Sequence, residues 1–237
     1  MKKKDIPLNE RIIFALDVDT YGAAEQWVDR LGEQIKFFKV GLQLFLAGGF
    51  PVVDMITARG HKVMVDLKFF DVPETVKLAV KQLRNKGVTF ATVHGNGAII
   101  QAAVEEKNEL KILAVTVLTS FDESDMIEMG CTKTVKDLVL IRAKKALTAG
   151  CDGVVSSGIE ANDLRNNLGE KFLIVTPGIR PGKNDEVEED DQRRITTAQD
   201  AIIQGADHVV VGRPIRDAVD PIEVVSSMQN EISRGLG

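Results

Sequence analysis

Three charged residues fall within six positions in Asp66-Leu67-Lys68-Phe69-Phe70-Asp71, directly after the apolar run Val63-Met64-Val65. Two more stand in the same kind of place. Asp17 follows Ile12-Ile13-Phe14-Ala15-Leu16, and Lys39 lies inside Phe37-Phe38-Lys39-Val40-Gly41. On a strand, residues two apart share a face, so Asp66 and Lys68 point one way if Val65 and Leu67 point the other. Charges set in an apolar frame are costly unless they are paired. The plainer reading is a buried ion pair that caps a core. The alternative is an electrostatic site, in which Asp17, Lys39, Asp66 and Lys68 alternate in sign around a reacting molecule and hold fixed charge where charge develops.

Asp71 has a competing local explanation. In Asp71-Val72-Pro73-Glu74 it resembles a helix N-cap, with Pro in the first turn and Glu three residues on. Asp19, ahead of the preceding helical segment, is assigned the capping role outright. A second theme occurs late in the chain, in Thr176-Pro177-Gly178-Ile179-Arg180 and Val211-Gly212-Arg213-Pro214. Glycines expose backbone N–H groups and a guanidinium grips two oxygens, which is what a phosphate site needs. Between them runs a long polar stretch from Pro181 to Arg194. Most of its charges read as solvated surface, but a loop of this length beside a site often serves as a lid. Its acidic run Glu188-Glu189-Asp190-Asp191 would repel phosphate, which leaves Gln192 as the neutral member best able to reach in. Of the histidines, His61 and His208 begin strands, and His94 ends one, where a packing or hydrogen-bonding role is the plainer reading. No His/Cys/Asp/Glu cluster has metal-ligand spacing, and there is no nucleophile elbow or nucleotide-binding glycine loop. Chemistry without metal or cofactor is expected.

The elements that would position these residues are legible as apolar, β-branched runs at Ile12–Leu16, Phe37–Val40, Lys62–Leu67, Phe90–His94, Ile112–Leu118, Gly153–Ser156, Phe172–Thr176 and His208–Val211. Nearly continuous apolar runs indicate strands covered on both faces, as in a parallel sheet. Helix-length segments separate them, among them Gly22–Gln34, Glu74–Lys86, Ala98–Asn108, Val135–Ala149, Glu160–Leu168 and Thr197–Gln204, with Pro221–Ser233 closing the chain. Gly87, Gly150 and Gly205 stand where helices hand over to strands. Eight strand–helix repeats in 237 residues, with no linker or break in composition, point to one domain over 1–237, a closed (β/α)8 TIM barrel. An open doubly wound sheet is the competing architecture. The barrel places function at the C-terminal strand ends, where Asp17, Lys39, Asp66, Lys68, Arg180 and Arg213 all fall.

Composition narrows the class of function. Thirty Lys plus Arg against 35 Asp plus Glu gives a net charge of -5, which disfavours binding to nucleic acid or anionic membranes. Two cysteines, Cys131 and Cys151, are too few for a disulfide framework. No apolar run approaches the roughly 18 residues of a membrane span, and the basic start lacks the apolar stretch of a signal peptide. A soluble, cytoplasmic protein is expected.

Asp66-Leu67-Lys68-Phe69-Phe70-Asp71-Val72-Pro73 resembles the D-x-K-x-x-D-[IV]-P motif of the orotidine 5′-phosphate decarboxylase family. The resemblance extends along essentially the whole chain through Asp17, Lys39, Val115–Ser120, Pro177–Arg180 and Gly212-Arg213-Pro214. D-x-K-x-x-D also occurs in related Mg²⁺-dependent sugar-phosphate enzymes, which carry a metal-binding acid at the end of the second strand, where this chain has Lys39. One departure is Glu74 in the family's usual Asn-Thr pair, whose Thr75 is kept. The resemblance implies decarboxylation of orotidine 5′-phosphate to UMP by a homodimer. It implies that Asp17 and Lys39 hold the ribose hydroxyls, Asp66 lies beside the substrate carboxylate, and Lys68 protonates C6. Asp71 and Thr75 would come from the partner subunit, Thr119 would meet the pyrimidine edge, and Arg180, Gln192, Gly212 and Arg213 would bind the phosphate. Open alternatives are the Mg²⁺-dependent lyase, an isomerase of the same barrel type, and a non-catalytic metabolite-binding barrel.

Overall fold

A computed structural model describes residues 3–181 and 194–237. A one-turn helix α1 (Leu8–Arg11) leads into β1 (Ile12–Ala15) and α2 (Tyr21–Leu31). The repeats continue with β2 (Phe37–Gly41), α3 (Leu42–Ala58), β3 (Lys62–Phe69), α4 (Pro73–Gln82), β4 (Val88–Val93) and α5 (Gly97–Glu105). The second half holds β5 (Lys111–Val115), α6 (Glu123–Glu128), α7 (Val135–Thr148), β6 (Gly153–Val155), α8 (Gly158–Leu168), β7 (Leu173–Thr176) and α9 (Ala198–Gln204). It ends with β8 (His208–Val211), α10 (Arg213–Arg216) and α11 (Pro221–Leu236). The strands close in sequence order, all parallel, with β8 pairing back to β1 through Ile12↔Val209 and Phe14↔Val211. The expected barrel is therefore the observed one.

Strand alternation divides the core into two layers. Ile13, Phe37, Met64, Phe90, Leu113, Val155, Val175 and Val210 fill the barrel interior. Their neighbours Ile12, Phe14, Phe38, Val63, Val65, Ile112 and Val209 pack outward against the helices. Val65 and Leu67 join the outer layer, as the alternation argument requires. Among the described residues, no helix is long and apolar enough to cross a membrane.

Three local expectations are corrected. The α2 N-cap is Thr20, not Asp19: the Thr20 side chain accepts the Ala23 N–H at 3.2 Å. Val72, not Asp71, is the N-cap of α4, and no side chain caps that end, because the turn after β3 carries the chain one residue further before Pro73 starts the helix. β5 ends at Val115 and not at Leu118. Beyond it, Arg142 takes the Thr116 carbonyl at 2.6 Å, and Arg194 takes those of Val117 and Leu118 at 3.1 and 2.8 Å. These carbonyls are satisfied by guanidinium groups and the strand has no reason to continue.

Candidate active site

Each charged residue reaches the barrel mouth by the same device, an apolar strand that anchors it from below. β2 is buried along its whole length, and Lys39 points inward above Phe37. Its ammonium donates to Asp17 Oδ1 at 3.0 Å and lies 3.8 Å from Asp66 Oδ2. Asp66, on β3 above Met64, accepts from Lys68 Nζ through both oxygens at 3.0 Å. The side chains of Lys39 and Asp66 are 11% and 12% exposed, while Lys68 and Asp17 open to the mouth at 37% and 47%. Burial alone would push the Asp66 carboxyl up. The Lys39 and Lys68 ammonium groups and the hydrogen bonds from Lys68 and Thr92 outweigh it, holding the carboxyl below the usual range. Asp66 is therefore an anion flanked by two cations, and it stays one at neutral pH.

β3 departs from regular geometry at this point. Val65 pairs with Ala91 and Phe69 with Val93, so Asp66, Leu67 and Lys68 together oppose the single residue Thr92. Lys68 takes a left-handed backbone conformation with φ of 47°. For a residue with a Cβ this costs on the order of 1–3 kcal/mol and persists only where the surroundings over-determine it. The bulge aims the Lys68 side chain into the mouth. Thr92 is fully buried in β4; its hydroxyl donates to Asp66 Oδ1 at 2.8 Å and accepts the Lys68 N–H at 2.9 Å.

The four charges open into a cavity of about 310 Å³, a size suited to a small-molecule ligand. Met64, Val115, Val155 and Val210 form its apolar floor, and Thr119, buried at 8% exposure, stands on one wall. Pro177, Gly178, Arg180, Gly212 and Arg213, at the ends of β7 and β8, form another part of the wall. Gly212 is tightly placed: a Cβ there would lie 3.3 Å from both Ala15 Cβ and Asp17 Oδ2. Gly178 has φ of 75°, the left-handed conformation that glycine adopts without strain. Arg180 N donates to the Thr196 carbonyl at 3.0 Å, and Thr196 N donates back to the Gly178 carbonyl at 3.1 Å. The two ends of the 181–194 stretch are thereby pinned together beside this wall.

The structure thus brings Asp17, Lys39, Asp66, Lys68, Thr119, Arg180, Gly212 and Arg213 around one cavity. Gln192 lies outside the described residues. Asp71 and Thr75 are exposed and do not line the cavity of their own chain. Phe70 and Val72, on either side of Asp71, are 66% and 62% exposed. The Asp71 carboxylate accepts the Val72 N–H at 2.6 Å. His94 does not line this cavity. Its Nδ1 lies 3.1 Å from the Val115 carbonyl, its ring meets Phe70 edge-on, and burial pushes its imidazole down.

Two groups escaped the sequence reading. Thr92 reads as one more β-branched strand residue. Arg194 reads as the end of a solvated charge run, yet its side chain is 12% exposed and is ion-paired to Glu160. Glu160 also accepts from Ser156, a residue of the cavity wall, at 3.0 Å. Burial pushes the Glu160 carboxyl up against the pull of Arg194. A buried side chain in this position leaves no mark in a single sequence.

The profile of the orotidine 5′-phosphate decarboxylase / HUMPS family matches residues 10–228. The chain is 52% identical over 233 residues to the orotidine 5′-phosphate decarboxylase of Methylococcus capsulatus, covering 98% of this chain and 96% of that one. It is 45% identical over 241 residues to the enzyme of the same name from Xanthomonas axonopodis pv. citri, covering 100% and 98%. Among solved structures, the orotidine 5′-phosphate decarboxylase of Lactobacillus acidophilus superposes with a TM-score of 0.82 at 35% identity, covering 94% of this chain and 99% of that one.

Proposed function

The chain belongs to the orotidine 5′-phosphate decarboxylase / HUMPS family, and from that premise we propose that it removes CO2 from orotidine 5′-phosphate to give UMP, through the Asp17, Lys39, Asp66 and Lys68 cluster and without a metal or cofactor. The observation that carries this reading is Asp66, buried between the Lys39 and Lys68 ammonium groups at the mouth of the barrel. A metal-dependent sugar-phosphate lyase would need an acid where Lys39 stands, and two cations beside Asp66 oppose a divalent ion there.

Loss of CO2 from C6 of the pyrimidine leaves an electron pair in an in-plane orbital with no adjacent acceptor to delocalise it. Stabilisation must be electrostatic, and fixed charge in a water-poor site is far more effective than in water. Lys68 supplies both the positive charge and the proton, so the C6 carbanion is neutralised as it forms. Asp66 fixes the Lys68 ammonium by two hydrogen bonds and would lie beside the substrate carboxylate, so their repulsion is relieved as CO2 leaves. Lys39 and Asp17, joined at 3.0 Å, offer a donor and an acceptor to the ribose hydroxyls. Arg180, Gly212 and Arg213 bind the phosphate, and Thr119 the pyrimidine edge. The phosphate is remote from C6, so its binding energy serves to orient the base over Lys68.

The site is completed in a homodimer. Asp71 and Thr75 are exposed and do not line their own cavity, and the exposed Phe70 and Val72 beside Asp71 provide apolar surface for a second copy to cover. Asp71 then enters the partner's site next to Lys68, as the fourth member of an alternating Lys/Asp tetrad. A soluble cytoplasmic location fits this role.

Lys68→Ala tests the assignment. Turnover of orotidine 5′-phosphate should be almost abolished, while UMP still binds through its ribose and phosphate. Near-normal turnover by Lys68→Ala would overturn the mechanism.

A further inference from the structure

The β3 bulge sets a problem that the active-site carboxylate and ammonium cannot solve alone. Three residues of β3 face one residue of β4, so the ladder supplies no backbone carbonyl to the Lys68 N–H. That N–H is instead taken by the Thr92 hydroxyl at 2.9 Å. A hydroxyl has one proton and two lone pairs. With a lone pair committed to Lys68, the proton goes to Asp66 Oδ1 at 2.8 Å. One oxygen atom thus ties the backbone of Lys68 to the carboxylate of Asp66. It does so at the residue whose backbone sits in the left-handed region, with φ of 47°. Thr92 is fully buried and does not line the cavity, so it touches no substrate.

We propose that Thr92 is a positioning residue for the decarboxylation, its hydroxyl locking the strained Lys68 backbone and the Asp66 carboxylate into the one arrangement that points the ammonium at the reacting carbon. The inference rests on the proposed function and adds to it a residue outside the charged cluster. Lys68 still meets Asp66 through its own side chain when Thr92 is changed, so the cation stays in the site. What is lost is the fixed origin of the lysine side chain. A misplacement of that kind lowers the rate of the chemical step while leaving contacts to ribose and phosphate in place.

Two substitutions separate a hydroxyl role from a packing role. Thr92→Val keeps the shape and removes the hydroxyl; Thr92→Ser keeps the hydroxyl and removes the methyl. Parent and variants are compared for kcat and KM with orotidine 5′-phosphate, and for the Kd of UMP. Thr92→Val should lose roughly 10- to 100-fold in kcat, with KM and UMP affinity within about threefold of the parent. Thr92→Ser should recover most of kcat. Unchanged kcat in Thr92→Val overturns the inference, as does equal damage in both variants or a loss of UMP affinity as large as the loss of kcat. If Thr92→Val does not fold, Thr92→Ala replaces it under the same comparison with Thr92→Ser. A parent chain inert toward orotidine 5′-phosphate overturns the proposed function and this inference with it. An active parent with an unimpaired Thr92→Val overturns this inference alone.

Discussion

Replacing Asp71 by alanine separates a helix cap from a catalytic residue donated across an interface. In the structure Val72 occupies the N-cap of α4 and no side chain caps that end. Among the described residues, the exposed Asp71 carboxylate accepts the neighbouring Val72 N–H at 2.6 Å and no other side-chain hydrogen bond. A lost N-cap would cost about 1 kcal/mol. An exposed side chain with one local bond should cost no more than about 0.5 kcal/mol. Denaturant unfolding of Asp71→Ala should therefore be close to that of the parent, while turnover falls by at least about 100-fold if the carboxylate completes the partner's tetrad. The stronger test mixes two inactive proteins. Lys68→Ala and Asp71→Ala are unfolded together and refolded. In a mixed dimer one site carries both lesions and the other carries neither. With random pairing and two-fold symmetry about half of the dimers are mixed, so about a quarter of all sites should regain activity. A mixture in which heterodimers form but activity stays absent would refute the shared site. A loss of about 1 kcal/mol with full turnover would instead restore the capping role.

Two further outcomes follow from the geometry. Arg213→Ala should raise KM for orotidine 5′-phosphate far more than it lowers kcat, because it weakens a grip remote from the reacting carbon; steady-state kinetics with the chemistry lost and KM unchanged would contradict the phosphate assignment. The second concerns stability against pH. Burial among Phe37 and Phe90 pushes the His208 imidazole down to about 4 from an ordinary 6.5, with Nδ1 held 2.9 Å from the Glu10 carbonyl. The unfolded chain therefore binds the proton first, and stability is lost as pH falls from 6.5 towards 4. Between pH 7 and pH 5 this amounts to about 2 kcal/mol. His208→Gln, which keeps a donor for Glu10, should lose less stability than the parent over that interval by about this amount. An identical loss in both proteins would contradict it.

The fold was legible because a barrel strand is covered on both faces. Phe37-Phe38-Lys39-Val40 and Ile12-Ile13-Phe14-Ala15-Leu16 stand out as apolar blocks, and any charge in such a block must be paired or used. For the same reason Asp17, Lys39, Asp66 and Lys68 stand out in the sequence. Capping was less legible: Thr20 beside Asp19 is an equally good capping type, and the loop after β3 sets Val72, which has no capping oxygen, at the start of α4, so residue type alone does not locate either cap. Strand ends failed where side chains from afar intervene. Arg142 and Arg194 take the carbonyls after Val115, and an apolar run that looked like strand to Leu118 becomes the loop that presents Thr119. Thr92 was invisible for a different reason. Its role depends on a register shift between β3 and β4, and register is a property of two strands together.

Turnover itself is the most direct measurement. Parent protein dialysed against EDTA is mixed with orotidine 5′-phosphate, the ultraviolet absorbance of the substrate is followed, and UMP and CO2 are quantified. The buried anion between two lysines predicts a fall in absorbance at the long-wavelength edge of the substrate band to the level of UMP, with UMP and CO2 in equal amounts and a rate indifferent to added Mg²⁺. No loss of absorbance, or a loss that appears only when Mg²⁺ is restored, would contradict it.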